Sequence, residues 1–508
     1  MTFDQGLGAP GNITRISGFF HASVWEPPRK GGVEEANFQV HILLIDKHFI
    51  YQSYCAYSFA GNRPAVSEEA SMRYLISLDD AVRALASAVD LVGTDEVHHG
   101  KRVALMASTL AERLGWPLPR RIVAHRAAML HDCGVSRSTE HHELIAQMEW
   151  PGAEAHCVRG ADYLSGVPAF RELAPIVRWH HQRWCEMPSG LDKTIAETAN
   201  LIFMADRMDA LRAQYQVTHH PAGINRLMTA LNAERGRLFH PDFVDLAEDV
   251  SRSEAFWFSL EPDAIEFSLD IVPLPHDRHA LNWHEMHALS VLFARIIDAK
   301  SEFTADHSLH VGALSRLLAA LMGLPRQRCG DVELAGLLHD LGKLRVPDEV
   351  LDKQGSLDLR EKRVMARHSF ETHVLLRRLF GDHPLADWAA WHHENLLGTG
   401  YPFRRKELPI EARIIAIADI FQALLQDRPY RRGKRPDEAM AILADLAAKK
   451  RIDGTIVQIV AAHLDVCVQA ATGKSPRRRW PSFERRTAPF LLAGEIPQSK
   501  GARPRRQP

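Results

Sequence analysis

Two histidine spacings recur along this chain, and together they limit what it can fold into. His99 and His131 lie 32 residues apart, as do His307 and His339. His156 and His180 lie 24 apart, as do His368 and His392. In each copy an aspartate follows the second histidine (Asp132, Asp340), another histidine follows the fourth (His181, His393), and a further aspartate closes the series (Asp206, Asp419). The offset between copies is 208 residues at His99/His307 and 213 at Asp206/Asp419, so loops have changed length while the order of elements is kept. Each copy also carries a helix stop after its first histidine, Leu114-Gly115-Trp116-Pro117 and Met322-Gly323-Leu324-Pro325. Glycine ends a helix there and proline cannot continue it. Two domains of common ancestry follow.

Periodicity makes both domains helical. Leu289, Leu292, Phe293 and Ile296 form a stripe at i, i+3, i+4 and i+7, as do Ile414, Ile417, Ala418, Phe421 and Leu424. Asp419 borders the second stripe, and a carboxylate beside a buried face is costly unless it is paired or coordinated. The expected fold class is all-α. The predicted organisation is an N-terminal segment over residues 1–75, a helical domain over 76–250, a partly packed linker over 251–284, a second helical domain over 285–472 and a tail over 473–508. Alternation at Phe38, Val40, Ile42 and Leu44 predicts a small strand in the first segment. Arg477-Arg478-Arg479, Arg485-Arg486 and Arg503-Pro504-Arg505-Arg506 make the tail basic and proline-rich, which predicts disorder.

A net charge of -1 excludes a wholesale polyanion binder, so any attraction for phosphate is local. Six cysteines without a CxxC pair suit a reducing compartment. No signal peptide is evident, and apolar runs such as 40–45 are too short to span a bilayer. A soluble, cytoplasmic protein is expected.

The second copy offers seven nitrogen and oxygen donors: His307, His339, Asp340, His368, His392, His393 and Asp419. That is enough to hold two divalent metals side by side, and an aspartate with two oxygens can bridge them. Imidazole and carboxylate without thiolate suit iron, manganese, zinc or nickel and disfavour a structural zinc. Lys343, one turn beyond His339, can neutralise charge on a phosphate. Gly400-Tyr401-Pro402 supplies a tight turn and a ring able to stack on a base.

Together, Leu337-Leu338-His339-Asp340-Leu341-Gly342-Lys343, His392-His393-Glu394 and Gly400-Tyr401-Pro402 resemble the HD-GYP family of metal-dependent phosphodiesterases. The resemblance implies tandem HD-type domains and hydrolysis of a cyclic dinucleotide to a linear one, with cyclic di-GMP first and cyclic GMP-AMP its competitor. It implies ligand roles for all seven donors with Asp340 bridging, two metals (iron or manganese foremost), and a phosphate role for Lys343. Arg428, in Asp427-Arg428-Pro429-Tyr430, looks like the family's RPY segment. Signalling partners such as diguanylate cyclases are candidates, chiefly under a reading without turnover, and homo-oligomerisation is left open. This chain departs from the family pattern at Leu397, Gln422, His310 and Thr372, none of them a ligand. The family's third-metal glutamate position is Phe303 here, which points to two metals.

The first copy offers His99, His131, Asp132, His156, His180, His181 and Asp206 as a second metal site. It keeps Asp209-Ala210-Leu211, but Val135 replaces the lysine, Gln182 replaces the glutamate, and no Gly-Tyr-Pro segment is present. Metal binding without independent hydrolysis is the expectation. Cys133 and Cys157, each following a ligand position, read as small buried residues. Two rival readings remain: a phosphate-ester hydrolase of the wider HD superfamily, and a cyclic dinucleotide receptor without turnover.

Overall fold

The computed structural model describes residues 73–90, 98–217, 221–273, 278–300, 306–427 and 432–474. The strand expected within 37–51, Phe303, Arg428 and the basic tail from 475 onward lie outside the described residues. Among the described residues the chain is all-α apart from one two-stranded antiparallel ladder, Arg73–Ser77 with Arg278–Asn282.

Each half unfolds from its ladder strand in the same order. Leu78–Val89 opens the first half, with the Ser77 side chain accepting the Asp80 N–H at its start. Trp283–Ala299 opens the second, closed at its N-terminus by a capping box of Asn282 and Glu285. The helices that begin with the first ligand candidates, His99–Arg113 and His307–Leu321, each follow a residue in the left-handed conformation, His98 and Asp306. Both stop where the sequence predicts, at Gly115 and Gly323, which take positive φ. Leu118–Met129 and Arg326–Leu338 come next, then Ala153–Ser165 and Leu359–Phe380, then the short Ala174–Trp179 and Leu385–Ala390. The last ligand-bearing helices are Lys193–Gln214 and Ile410–Leu425. Leu289, Leu292, Phe293, Ile296, Ile414, Ile417 and Phe421 are all buried, as their spacing requires.

The segment expected as a partly packed linker is, over its described residues 251–273, helical and packed on the first half. It forms Glu254–Phe258 and Ile265–Ile271, buries Phe256 and Trp257, and is tied to the first half by Lys101–Glu266 and Arg83–Asp270 ion pairs of 2.5 and 2.6 Å. The two halves interlock reciprocally. Leu78–Val89 of the first packs on Leu359–Phe380 of the second, while Trp283–Ala299 of the second packs on Ala153–Ser165 of the first. Tyr74 hydroxyl donates to Asp331 at 2.6 Å, fixing the first strand to the second half. Among the described residues, no single helix is long and apolar enough to cross a membrane.

Candidate metal centres

Helix ends deliver the donors. His339 and Asp340 sit where Arg326–Leu338 stops, His392 and His393 lie just beyond Leu385–Ala390, and His307 begins its helix. His368 and Asp419 project from the middle of long helices. The seven converge. Asp340 Oδ2 lies 3.1 Å from His339 Nε2 and 3.5 Å from His307 Nε2, and Asp419 Oδ1 lies 3.4 Å from His307 Nε2. Asp340 Oδ1 faces the other way, 3.5 Å from His368 Nε2 and 3.7 Å from His392 Nε2. The His393 ring lies against both of these, with centroids 4.0 Å from His392 and 5.0 Å from His368. One carboxylate therefore stands between two donor groups, with one oxygen toward each.

The outer ring nitrogens fix which lone pairs point inward. Nδ1 of His339, His368 and His392 lies 2.6–2.7 Å from the carbonyls of Gly336, Met365 and Ala389. His307 Nδ1 lies 2.6 Å from Gln422 Oε1. Carbonyl oxygens only accept, so each Nδ1 carries the proton and each Nε2 offers its lone pair to the centre. That leaves His339 Nε2 and Asp340 Oδ1 buried without a hydrogen-bond partner. Such orphans are costly, and a divalent cation satisfies them. The donor chemistry fits iron, manganese, nickel or zinc.

The first half repeats the arrangement. Asp132 Oδ2 lies 3.4 Å from His131 Nε2 and 3.6 Å from His99 Nε2, and Asp132 Oδ1 lies 3.3 and 3.9 Å from His156 and His180 Nε2. Asp206 lies 3.3 Å from His99 and 3.8 Å from His181. His131 Nε2 and Asp132 Oδ1 are again orphaned. The surroundings differ, however. His99 Nδ1 faces the Asp209 carboxylate at 2.8 Å, where His307 has an amide, and Arg207 pairs with Asp206 at 2.8 Å. Cys133 and Cys157 are buried, as their size suggests.

These charges separate the two clusters in protonation. In the second, burial pushes His368 down to about 4, and burial with neighbouring His339 pushes His392 down to about 3, whereas at His339 burial is outweighed by the charge and hydrogen bond of Asp340, which raise the ring. In the first, burial lowers His99, but hydrogen bonds and charge from Asp206 and Asp209 outweigh it and raise the ring to about 10. Burial is likewise outweighed at His156 by Cys157 and Asp132, again to about 10. Metal ligation needs neutral imidazole. Loading the first cluster therefore releases the His99 and His156 protons, while in the second the His339 ring is raised but His368 and His392 are already neutral, so affinity gains more with rising pH at the first. Metal titration of variants with one cluster disabled, at about pH 6.5 and about pH 8.5, is expected to show the steeper gain at the first cluster. Equal pH dependence at the two would refute it.

Lys343 Nζ meets Asp340 Oδ2 at 2.5 Å, while the same register in the first half is the buried Val135. Tyr401 lies over His393 with ring centroids 4.7 Å apart. Glu394, absent from the candidate residues drawn from sequence, organises that turn. Its carboxylate accepts the N–H groups of Phe403, Arg404 and Arg405 at 2.7, 3.0 and 2.9 Å. Gln182 at the matching place fits a half that has no such turn. His141, also missed, puts its ring 6.3 Å from that of His99. No spacing rule reaches it, because the corresponding helix of the second half, Asp348–Leu351, is four residues long and carries no histidine.

Gly134 and Gly342 are required by close approach. A Cβ on either would lie 2.0 Å from the carbonyl oxygen of His156 or His368. Gly342→Ala must therefore push the turn off the ligand helix, and we expect a loss of about 3 kcal/mol in denaturant unfolding. An unchanged midpoint would contradict this packing.

The likeness to known proteins agrees with this geometry. Family models described as HD domain match residues 97–211 and 291–456. A 3'3'-cGAMP-specific phosphodiesterase of Vibrio cholerae is 33% identical over 416 residues, 80% of this chain and 96% of the relative. A cyclic di-GMP phosphodiesterase of Pseudomonas aeruginosa is 36% identical over 152 residues, 29% of this chain and 37% of that one. The crystal structure of a cyclic GMP-AMP specific phosphodiesterase of V. cholerae superposes with a TM-score of 0.55 at 23% identity, covering 78% of this chain and 99% of that one. Two HD domains in tandem, with the Gly-Tyr-Pro turn in the second, place this chain in the HD-GYP family.

Proposed function

We propose that this chain is a metal-dependent phosphodiesterase that opens a cyclic dinucleotide to the linear form at its second centre. The carrying observation is Asp340, whose two oxygens each face a separate histidine group while Lys343 closes on one of them. His307, His339 and Asp419 would hold one ion and His368, His392 and His393 the other, with Asp340 between. Two divalent ions there would grip the phosphate oxygens and supply the attacking water. Lys343 places a positive charge where the phosphate and its leaving oxygen become more negative. The partly exposed Tyr401 ring, backed by His393, offers a stacking face for a base. Arg428 is proposed as a further phosphate contact on the family motif alone.

Cyclic di-GMP is the substrate that the motifs suggest. A relative that spans both halves, however, is named for 3'3'-cGAMP, so both belong in one test. The first cluster is proposed to hold metal as a structural or regulatory centre, because Val135 removes the phosphate-facing cation. A cytoplasmic location and partnership with diguanylate cyclases belong to the same proposal. Chromatography of each dinucleotide after incubation with manganese- or iron-loaded protein, beside Asp340→Ala, tests it. A linear product that vanishes in the variant supports the reading. Both substrates intact with metal-replete protein sinks it, and tight binding of the intact ligand would then favour a receptor.

A further inference from the structure

The turn that presents Lys343 is held from several sides. Gly342 N–H donates to Thr372 Oγ1 at 2.9 Å, and Thr372 in turn donates to the His339 carbonyl at 3.1 Å. From behind, the ammonium of Lys300 donates to the carbonyl of Leu344. Lys300 is 1% exposed, so its charge requires a counter-charge, and Asp348 Oδ1 lies 3.7 Å away. The other oxygen of Asp348 leaves the second half altogether. Asp348 Oδ2 accepts the backbone N–H of Ser138 at 2.9 Å. Ser138 is the first residue of Ser138–Ala146, the helix that carries His141 to the first cluster. Leu78–Val89, also of the first half, packs against the 341–345 turn as well.

We propose that Asp348 is a positioning residue for the second centre, a strut that fixes the Lys343 turn through Lys300 and is itself anchored by Ser138 of the first half. The second centre is then complete only with the first half docked against it, which gives the divergent half a task that needs no chemistry of its own. Without Asp348 the buried Lys300 keeps only the weaker charges of Asp352 and Glu349, and its hold on the Leu344 carbonyl loosens. The Lys343 ammonium, one residue away, then samples positions off Asp340. Small displacements of a charged group cost rate more than binding.

Ser138→Pro isolates the anchor. Proline removes the backbone donor together with the serine hydroxyl, its φ suits the first position of a helix, and Arg137 before it is already extended (φ -127°, ψ 147°). Ser138→Ala, which keeps the N–H, is the control for the lost hydroxyl and is expected to leave 341–346 protected. Asp348→Asn keeps an acceptor for Ser138 but withdraws the charge opposite Lys300, and decides the matter if the proline variant does not fold. Hydrogen exchange of the full chain is the first readout. Amides of 341–346 are expected to lose about tenfold protection in either variant, while those of Leu359–Phe380 keep theirs. The second readout rests on the phosphodiesterase reading: kcat falls about tenfold, KM stays within about twofold, and metal content is unchanged. Unchanged exchange over 341–346 overturns the strut. Wild-type protein that hydrolyses neither dinucleotide overturns the activity instead, and the exchange result then decides the strut alone.

Discussion

Asp340→Ala is expected to lower cyclic dinucleotide turnover by at least about a thousandfold, equivalent to about 4 kcal/mol of barrier. Five donors depend on this one carboxylate: Lys343, His307 and His339 meet Oδ2, and His368 and His392 face Oδ1. Alanine leaves each histidine group with imidazoles alone on one side and Asp419 on the other, so no shared ligand holds two ions at a fixed separation. Metal analysis of the purified variant is expected to fall short of two ions at this centre. Asp340→Asn, which keeps the shape and one acceptor oxygen, is expected to lose slightly less metal and nearly as much rate. The same change at Asp132 separates the halves. Metal content falls in both variants, but turnover collapses only when Asp340 is lost. Comparable collapse with Asp132→Ala would move the chemistry to the first centre. Turnover within about tenfold of wild type in Asp340→Ala would remove the two-ion reading.

Most of these candidate ligands are legible in the sequence because the fold delivers five of the seven at helix ends. A histidine that begins a helix, a His-Asp pair where the next one stops, and a His-His pair after a short one must keep their spacing if they are to meet. Hence 32 and 24 residues recur in both halves. The partners that tune the ligands follow no such rule. Gln422 and Asp209 occupy one register, yet only the structure shows that each faces the outer nitrogen of the first histidine. The pairing of Arg102 with Asp209 at 2.7 Å explains two departures together. His310 and Gln422 stand where this ion pair would be, and both members have changed.

Contacts between the halves were illegible for a different reason. Arg73–Ser77 and Arg278–Asn282 are five residues each and lack strong alternation, so neither reads as a strand until the other is beside it. The same holds for Ser138 and Asp348, which are 210 residues apart and ordinary as a serine and an aspartate. Residues 251–284 looked like a linker because aromatics, acids and prolines are mixed there. Phe256 and Trp257 nevertheless find a buried face, and Glu266 a buried lysine. Tertiary contact supplies what local periodicity lacks.

Lys343→Met is the second large effect, expected to reduce kcat by about a hundredfold to a thousandfold with metal content intact. Methionine keeps the length of the stem and removes only the charge. The ammonium meets Asp340 at 2.5 Å, while its side chain remains 22% exposed. It is thus a partner of Asp340 and, in the proposed reaction, also the cation that meets the phosphate. The two roles predict different outcomes. If Lys343 served only Asp340, the ions themselves would supply the missing charge in the variant and turnover would change little. If it stabilises charge that grows on the phosphate, kcat falls while KM moves less, because the interaction is stronger in the transition state than in the bound substrate. Lys343→Arg keeps the charge in a bulkier, planar group and is expected to recover only part of the rate. The first half carries out the reciprocal experiment naturally. With Val135 buried at this register, its cluster retains seven donors but no cation at the Lys343 position, and isolated loss of the second centre is expected to leave no measurable cyclic dinucleotide hydrolysis. A Lys343→Met protein within about threefold of wild type would confine the lysine to its pairing with Asp340, and the contrast with Val135 would lose its functional meaning.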